Sequence, residues 1–76
     1  MMYPFLTLDD QTEFVHSERY ADGTMRIYIE KSDPIDGFHS ATCILPLYRW
    51  KSICGFTAEE ITVFQQIIER NLSKIR

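Results

Sequence analysis

Seventy-six residues, 45% of them hydrophobic and 13% aromatic, with a formal net charge of −3, bound the class of protein before any motif is read. A chain this short builds one core rather than two, and five Phe, four Tyr and one Trp exclude intrinsic disorder, which needs few apolar groups and high net charge. The acidic balance disfavours nucleic acid as a partner, because that affinity comes first from Lys and Arg neutralising phosphates.

In chain order, Met1 to Leu8 contains Pro4 and runs into Asp9 and Asp10. It has neither a basic start nor an apolar run of about seven residues, so no signal peptide is expected. Phe5 and Thr7 read as a short edge strand, since Pro4 cannot donate to a ladder. Gln11 to Glu18 alternates, with Phe14 and His16 on one side and Glu13, Val15 and Ser17 on the other. Ala21-Asp22-Gly23 is a hairpin signal. Thr24 to Glu30 carries the clearest period-two pattern, Met25, Ile27 and Ile29 alternating with Arg26, Tyr28 and Glu30, which marks a half-buried strand. A longer connection over Lys31 to Gly37 leads to a second extended run, Phe38 to Leu45, whose inner face is Ala41, Cys43 and Leu45.

Pro46 ends that run and suits the first position of a helix. Leu47, Trp50 and Cys54 fall at helical spacing, and Gly55 suits the left-handed residue that closes a helix, so a short helix over Pro46 to Cys54 is predicted. The last element starts at Ala58: Thr57 is a favoured N-cap, Glu60 completes a capping box, and Phe56 faces Ile61 as a hydrophobic staple. Glu59 and Glu60 complement the positive end of the helix dipole, and Arg70, Lys74 and Arg76 the negative end. Ile61, Phe64, Ile68, Leu72 and Ile75 make one apolar stripe. The predicted fold is α+β over residues 1–76 as a single domain. An antiparallel meander of three to four strands is followed by the short helix and a long amphipathic helix, Ala58 to Ile75, on one sheet face.

The chemical inventory is sparse. His16, His39 and Cys43 are the residue types of a metal or nucleophile site. Yet residues four apart on a strand lie about 13 Å from one another, far beyond a shared zinc with bonds of ~2.0 to 2.3 Å. Asp36-Gly37-Phe38-His39-Ser40 places a hydroxyl beside a histidine, but adjacent strand residues point to opposite faces, and hydroxyl activation needs an imidazole within ~3 Å. Tyr48-Arg49-Trp50-Lys51 interleaves aromatics with cations as single-strand nucleic-acid surfaces do, over only four residues. Glycine-rich phosphate loops, H-E-x-x-H and calcium-loop spacings are absent, so no cofactor is expected. Cys43 and Cys54 make no C-x-x-C pair and read as the reduced, buried thiols of a cytoplasmic protein, and no apolar run approaches the roughly 18 residues of a membrane span.

Asp36-Gly37-Phe38-His39-Ser40-Ala41-Thr42-Cys43, Leu45-Pro46, Tyr48, Trp50 and Gly55-Phe56-Thr57 together resemble a group of short bacterial proteins of uncharacterised activity. They carry a D-G-F-H-S-A-T-C-x-L-P-x-Y-x-W segment. The resemblance covers the chain from about Asp22 onward. It implies a stand-alone bacterial cytoplasmic protein and contributes no catalytic residue.

The leading functional expectation is a non-enzymatic protein-interaction module, a homodimer or the partner of another protein. The apolar arc of the last helix spans more than about 140°, wider than the ~100° one sheet face requires. Its spare edge, Val63 and Ile67, is the expected interface together with Trp50 and Tyr48. The alternatives are a small-ligand or metal-dependent activity around His16, His39 and Cys43, and weak nucleic-acid binding through Arg49 to Lys51.

Overall fold

Alternation at Met25, Ile27 and Ile29 sets the centre of the molecule: all three are buried, as the inward face of a strand whose other side is polar should be. The computed structural model describes residues 2–35 and 37–74. Within it the strands are β1 (Tyr3–Thr7), β2 (Glu13–His16), β3 (Met25–Asp33), β4 (Gly37–Leu45) and β5 (Arg49–Cys54), followed by helix α1 (Ala58–Arg70) and a 3-10 turn, Leu72–Lys74. The strands form one antiparallel sheet in chain order, β1-β2-β3-β4-β5, so the fold is α+β with five strands rather than three to four.

β3 and β4 pair without interruption from Met25↔Leu45 to Asp33↔Gly37. The Asp33 carboxylate accepts the Ile35 N–H at 2.8 Å in the turn between them, the usual contribution of Asp to a reversal. Asp36, assigned to that connection, lies outside the described residues. β2 joins the other side of β3 with Phe14 opposite Ile29 and His16 opposite Ile27. Just past it Ser17 is buried, because its Oγ accepts the Arg26 N–H at 3.0 Å and donates to the Glu18 carbonyl at 2.9 Å. At the β1 edge the pairing skips from Pro4↔Val15 to Leu6↔Phe14, so Phe5 is the extra residue of a bulge, one of the devices that blunt an edge strand.

The short helix expected over Pro46 to Cys54 is a turn and a strand. Three residues reverse the chain after Leu45, and Arg49 to Cys54 then pairs with β4 through Ile44↔Arg49, Cys43↔Trp50, Thr42↔Lys51 and Ser40↔Cys54. The last step spends three residues of β5 against two of β4, so β5 is bulged, and Ser52 there has φ +56°. A bulge inserts one residue and breaks period two. Trp50 and Cys54, four apart, fit a helical and an extended spacing alike, and an apolar set this small cannot separate the two periods.

α1 begins where its signals put it. Thr57 accepts the Glu60 N–H at 3.2 Å and donates its own N–H to Glu60 Oε1 at 2.9 Å, the reciprocal box that satisfies two orphan donors. Its end is earlier than expected. Asn71 takes φ −109° and ψ 11°, and its side-chain amide donates to the Ile67 carbonyl at 2.8 Å, offering the backbone an alternative to another turn. The helix is therefore 13 residues long, and the Ile75 and Arg76 of the predicted stripe and dipole lie outside the described residues.

Sheet and helix meet through rings. Phe64 stands edge-on to Phe14 at 5.5 Å and to Phe56 at 4.9 Å, Phe5 meets Phe14 at 6.0 Å, and Phe56 meets His39 at 5.5 Å. Such tilted pairs are the favoured aromatic geometry and add ~0.5 to 1.5 kcal/mol each beyond burial. Phe56 thus spans from His39 to Phe64, deeper than a staple at the helix start requires. Ile68, Ile27, Ile29 and Cys43 are buried in the same cluster. α1 covers this inner face, and the opposite face carries none of the described elements.

Candidate functional site

Each residue nominated for chemistry has a structural occupation. His16 ends β2 on the inner face, its ring 5.3 Å from Tyr3 and 5.7 Å from Phe5. Its Nδ1 lies 2.8 Å from the Ser17 carbonyl; a carbonyl only accepts, so Nδ1 carries the proton. His39 lies across from Lys31 on β4, beneath the backbone of Gly55. A Cβ there would fall 2.6 Å from His39 Cγ. Gly55, with φ +87°, therefore does not close a helix. It brings the β5–α1 link down onto an imidazole.

Cys43 is wholly buried between Ile27 and Trp50 on the neighbouring strands, and that burial pushes its thiol up to about 12. A nucleophilic cysteine needs the reverse shift. Ile27 separates His16 from Cys43, two strand spacings or about 10 Å, and His39 is four residues along β4, about 13 Å. The three are not brought together, and no three His, Cys, Asp or Glu among the described residues form a group able to hold a metal. Ser40 faces away from His39, on the outer side, opposite Glu30 and Cys54, and Cys54, expected to be buried, is exposed on the edge strand.

The expected helix-edge interface is thinner than its apolar arc suggests. Ile67, Trp50 and Tyr48 pack against the core, and the Trp50 indole donates to Gln65 Oε1 at 3.0 Å. Among the described residues of α1, only Val63, 50% exposed, leaves a large apolar side chain in solvent. Trp50 faces inward while Arg49 and Lys51 face outward, so the interleaved segment does not present its indole and its cations on one surface. Tyr48 borders a recess of about 120 Å³ with Arg19, Gly23, Met25, Leu45, Pro46 and Leu72. Burial, with the Glu69 charge beyond it, pushes its phenol up. Ligand pockets occupy ~300 to 1,000 Å³, so the recess falls short of one.

The feature that residue-by-residue reading missed is the outer sheet face. Strand register lines up three rows across its middle, with Ser32 and Phe38 a fourth beyond the Glu30 row. Val15, Tyr28, Thr42 and Lys51 form the middle row; Arg26, Ile44 and Arg49 form one flank; Glu13, Glu30, Ser40 and Cys54 form the other. Val15, Tyr28 and Ile44 are half-buried by one another and by their neighbours, and Thr42 among them is only 8% exposed. Met2 extends the middle of this surface beside Val15 and Tyr28, over a shallow hollow. Outward positions read singly look like ordinary surface. Only the register shows that Val15, Tyr28, Thr42 and Ile44 are contiguous.

No described helix is long and apolar enough to cross a membrane. Comparison of the chain with protein-family models, with curated protein sequences and with solved structures found no match.

Proposed function

We propose that this chain is a small non-enzymatic interaction module that self-associates. The observation that supports it is the one-sided architecture: a five-stranded sheet with α1 on its inner face and a contiguous, partly apolar outer face of Val15, Tyr28, Thr42 and Ile44 flanked by charge. Patches of this composition, apolar at the centre and polar at the rim, mark protein-binding surfaces. The alternative ligand-site residues His16, His39 and Cys43 are occupied in packing and are not brought together, which leaves the surface as the functional part of the molecule. The bacterial cytoplasmic setting implied by the Asp36 to Trp50 resemblance belongs to the same proposal.

Light scattering over rising concentration tests it. The expected mass climbs from the 9.0 kDa of one chain toward twice that value. A mass that stays at one chain up to about 1 mM, where an association of about −4.1 kcal/mol would be half-formed, overturns self-association.

A further inference from the structure

We infer that two copies pack outer face to outer face, about a two-fold axis that lies between the sheets and runs across the strands over the Tyr28 row. The inference rests on the self-association reading above and specifies its surface and geometry.

The charge layout selects this arrangement. Arg26 and Arg49 flank Ile44 in one row, whereas Glu13 and Glu30 stand directly opposite each other on β2 and β3 in another. Like charges directly opposite on a sheet are destabilising, and among the described residues neither glutamate has an ion pair. Arg26 and Glu30 lie four residues apart on β3, about 13 Å, with Tyr28 midway. A two-fold across the strands reverses that direction. It sets each β3 antiparallel over its copy, Arg26 above the second copy's Glu30, one strand from the second copy's Glu13, and Glu30 above the second copy's Arg26. A two-fold along the strands would instead gather four guanidinium groups at one end and four carboxylates at the other.

The dimensions agree. Packed sheets stand ~10 Å apart, a gap that an Arg and a Glu reaching from opposite sides close between them. Val15, Tyr28 and Thr42 would each meet their own copy near the axis, forming the apolar centre. Lys51 sits at the β5 rim, where its long side chain turns to solvent.

Sedimentation equilibrium of the wild type, Arg26→Glu, Glu30→Arg and an equimolar mixture of the two variants tests it. Either single change makes both cross-interface contacts like-charged and is expected to weaken the dimer by at least about tenfold. In the mixture, the carboxylate placed at position 26 of one variant faces the guanidinium placed at position 30 of the other. The unaltered Glu30 of the first faces the unaltered Arg26 of the second, so association returns as a heterodimer. Arg26 also stacks 5.6 Å from the Tyr20 ring, a contact that its replacement removes. Glu30 is exposed, so Glu30→Arg alone keeps the test decisive. Wild-type association by Glu30→Arg, or a mixture that stays monomeric with both variants folded by circular dichroism, overturns the inference. A dimer that survives both changes but is lost in Val63→Glu moves the contact to α1, overturning this geometry while the module reading stands. A wild type that is monomeric throughout overturns both.

Discussion

Gly55 shows how closely two single residues can be coupled. Its φ of +87° lies where side chains are rare, and a Cβ would enter the His39 ring. Two penalties therefore act at once, backbone strain of roughly 1 kcal/mol and overlap with a ring held edge-on to Phe56. Gly55→Ala is expected to destabilise by about 2 to 3 kcal/mol in urea unfolding. In a His39→Ala background the same change should cost about half as much, because the overlap vanishes and the strain remains. Equal costs in both backgrounds would show that the ring contact contributes nothing. Glycine's use as a punctuation mark was legible in the sequence. What it punctuates was not, because the imidazole it approaches is 16 positions away and arrives only through sheet pairing.

At the scale of the element, β5 and α1 make opposite cases. The start of α1 is written in four consecutive residues, Thr57 to Glu60, whose bonds are local and form wherever the chain goes helical. β5 is written nowhere locally. Its hydrogen bonds go to β4, and its bulge at Ser52 removes the alternation that would have revealed it. The same bulge yields a prediction. Ser52 holds φ +56°, so Ser52→Gly should raise stability by up to about 1 kcal/mol through relief of the left-handed backbone, and Ser52→Val should lower it by about 1 kcal/mol or more, both read from thermal or urea unfolding. A stabilising Ser52→Val would mean that the β5 edge is not bulged. The premature end of α1 has a comparable cause: Asn71 turns its amide back onto Ile67, a choice that apolar periodicity does not record.

Across the whole molecule, the inner face closes into one core and ties its stability to pH through Cys43. The unfolded thiol ionises at about 8.5, whereas burial holds the folded one up to about 12. Between those values the unfolded chain binds fewer protons, so this contribution is complete below pH ~8.5 and is lost as pH rises toward 12. Urea midpoints measured from about pH 7 to 10.5 should fall, and Cys43→Ala, less stable at neutral pH, should fall less steeply. Parallel slopes would show that the thiol does not titrate on unfolding.

The outer face is the counterpart of that core, and its legibility followed the same physics. Composition, the β3 alternation, the inward set Ala41, Cys43 and Leu45, and the cap of α1 were determined by the sequence alone, because each depends on side chains within a few positions of one another. The fifth strand, the aromatic contacts from Phe5 through Phe14, Phe64 and Phe56 to His39, the separation of His16 from Cys43, and the Arg26 and Glu30 rows were decided only by tertiary structure. Each depends on register between strands. Register couples residues that the chain keeps apart, and a shift of one position would have turned every one of those faces over.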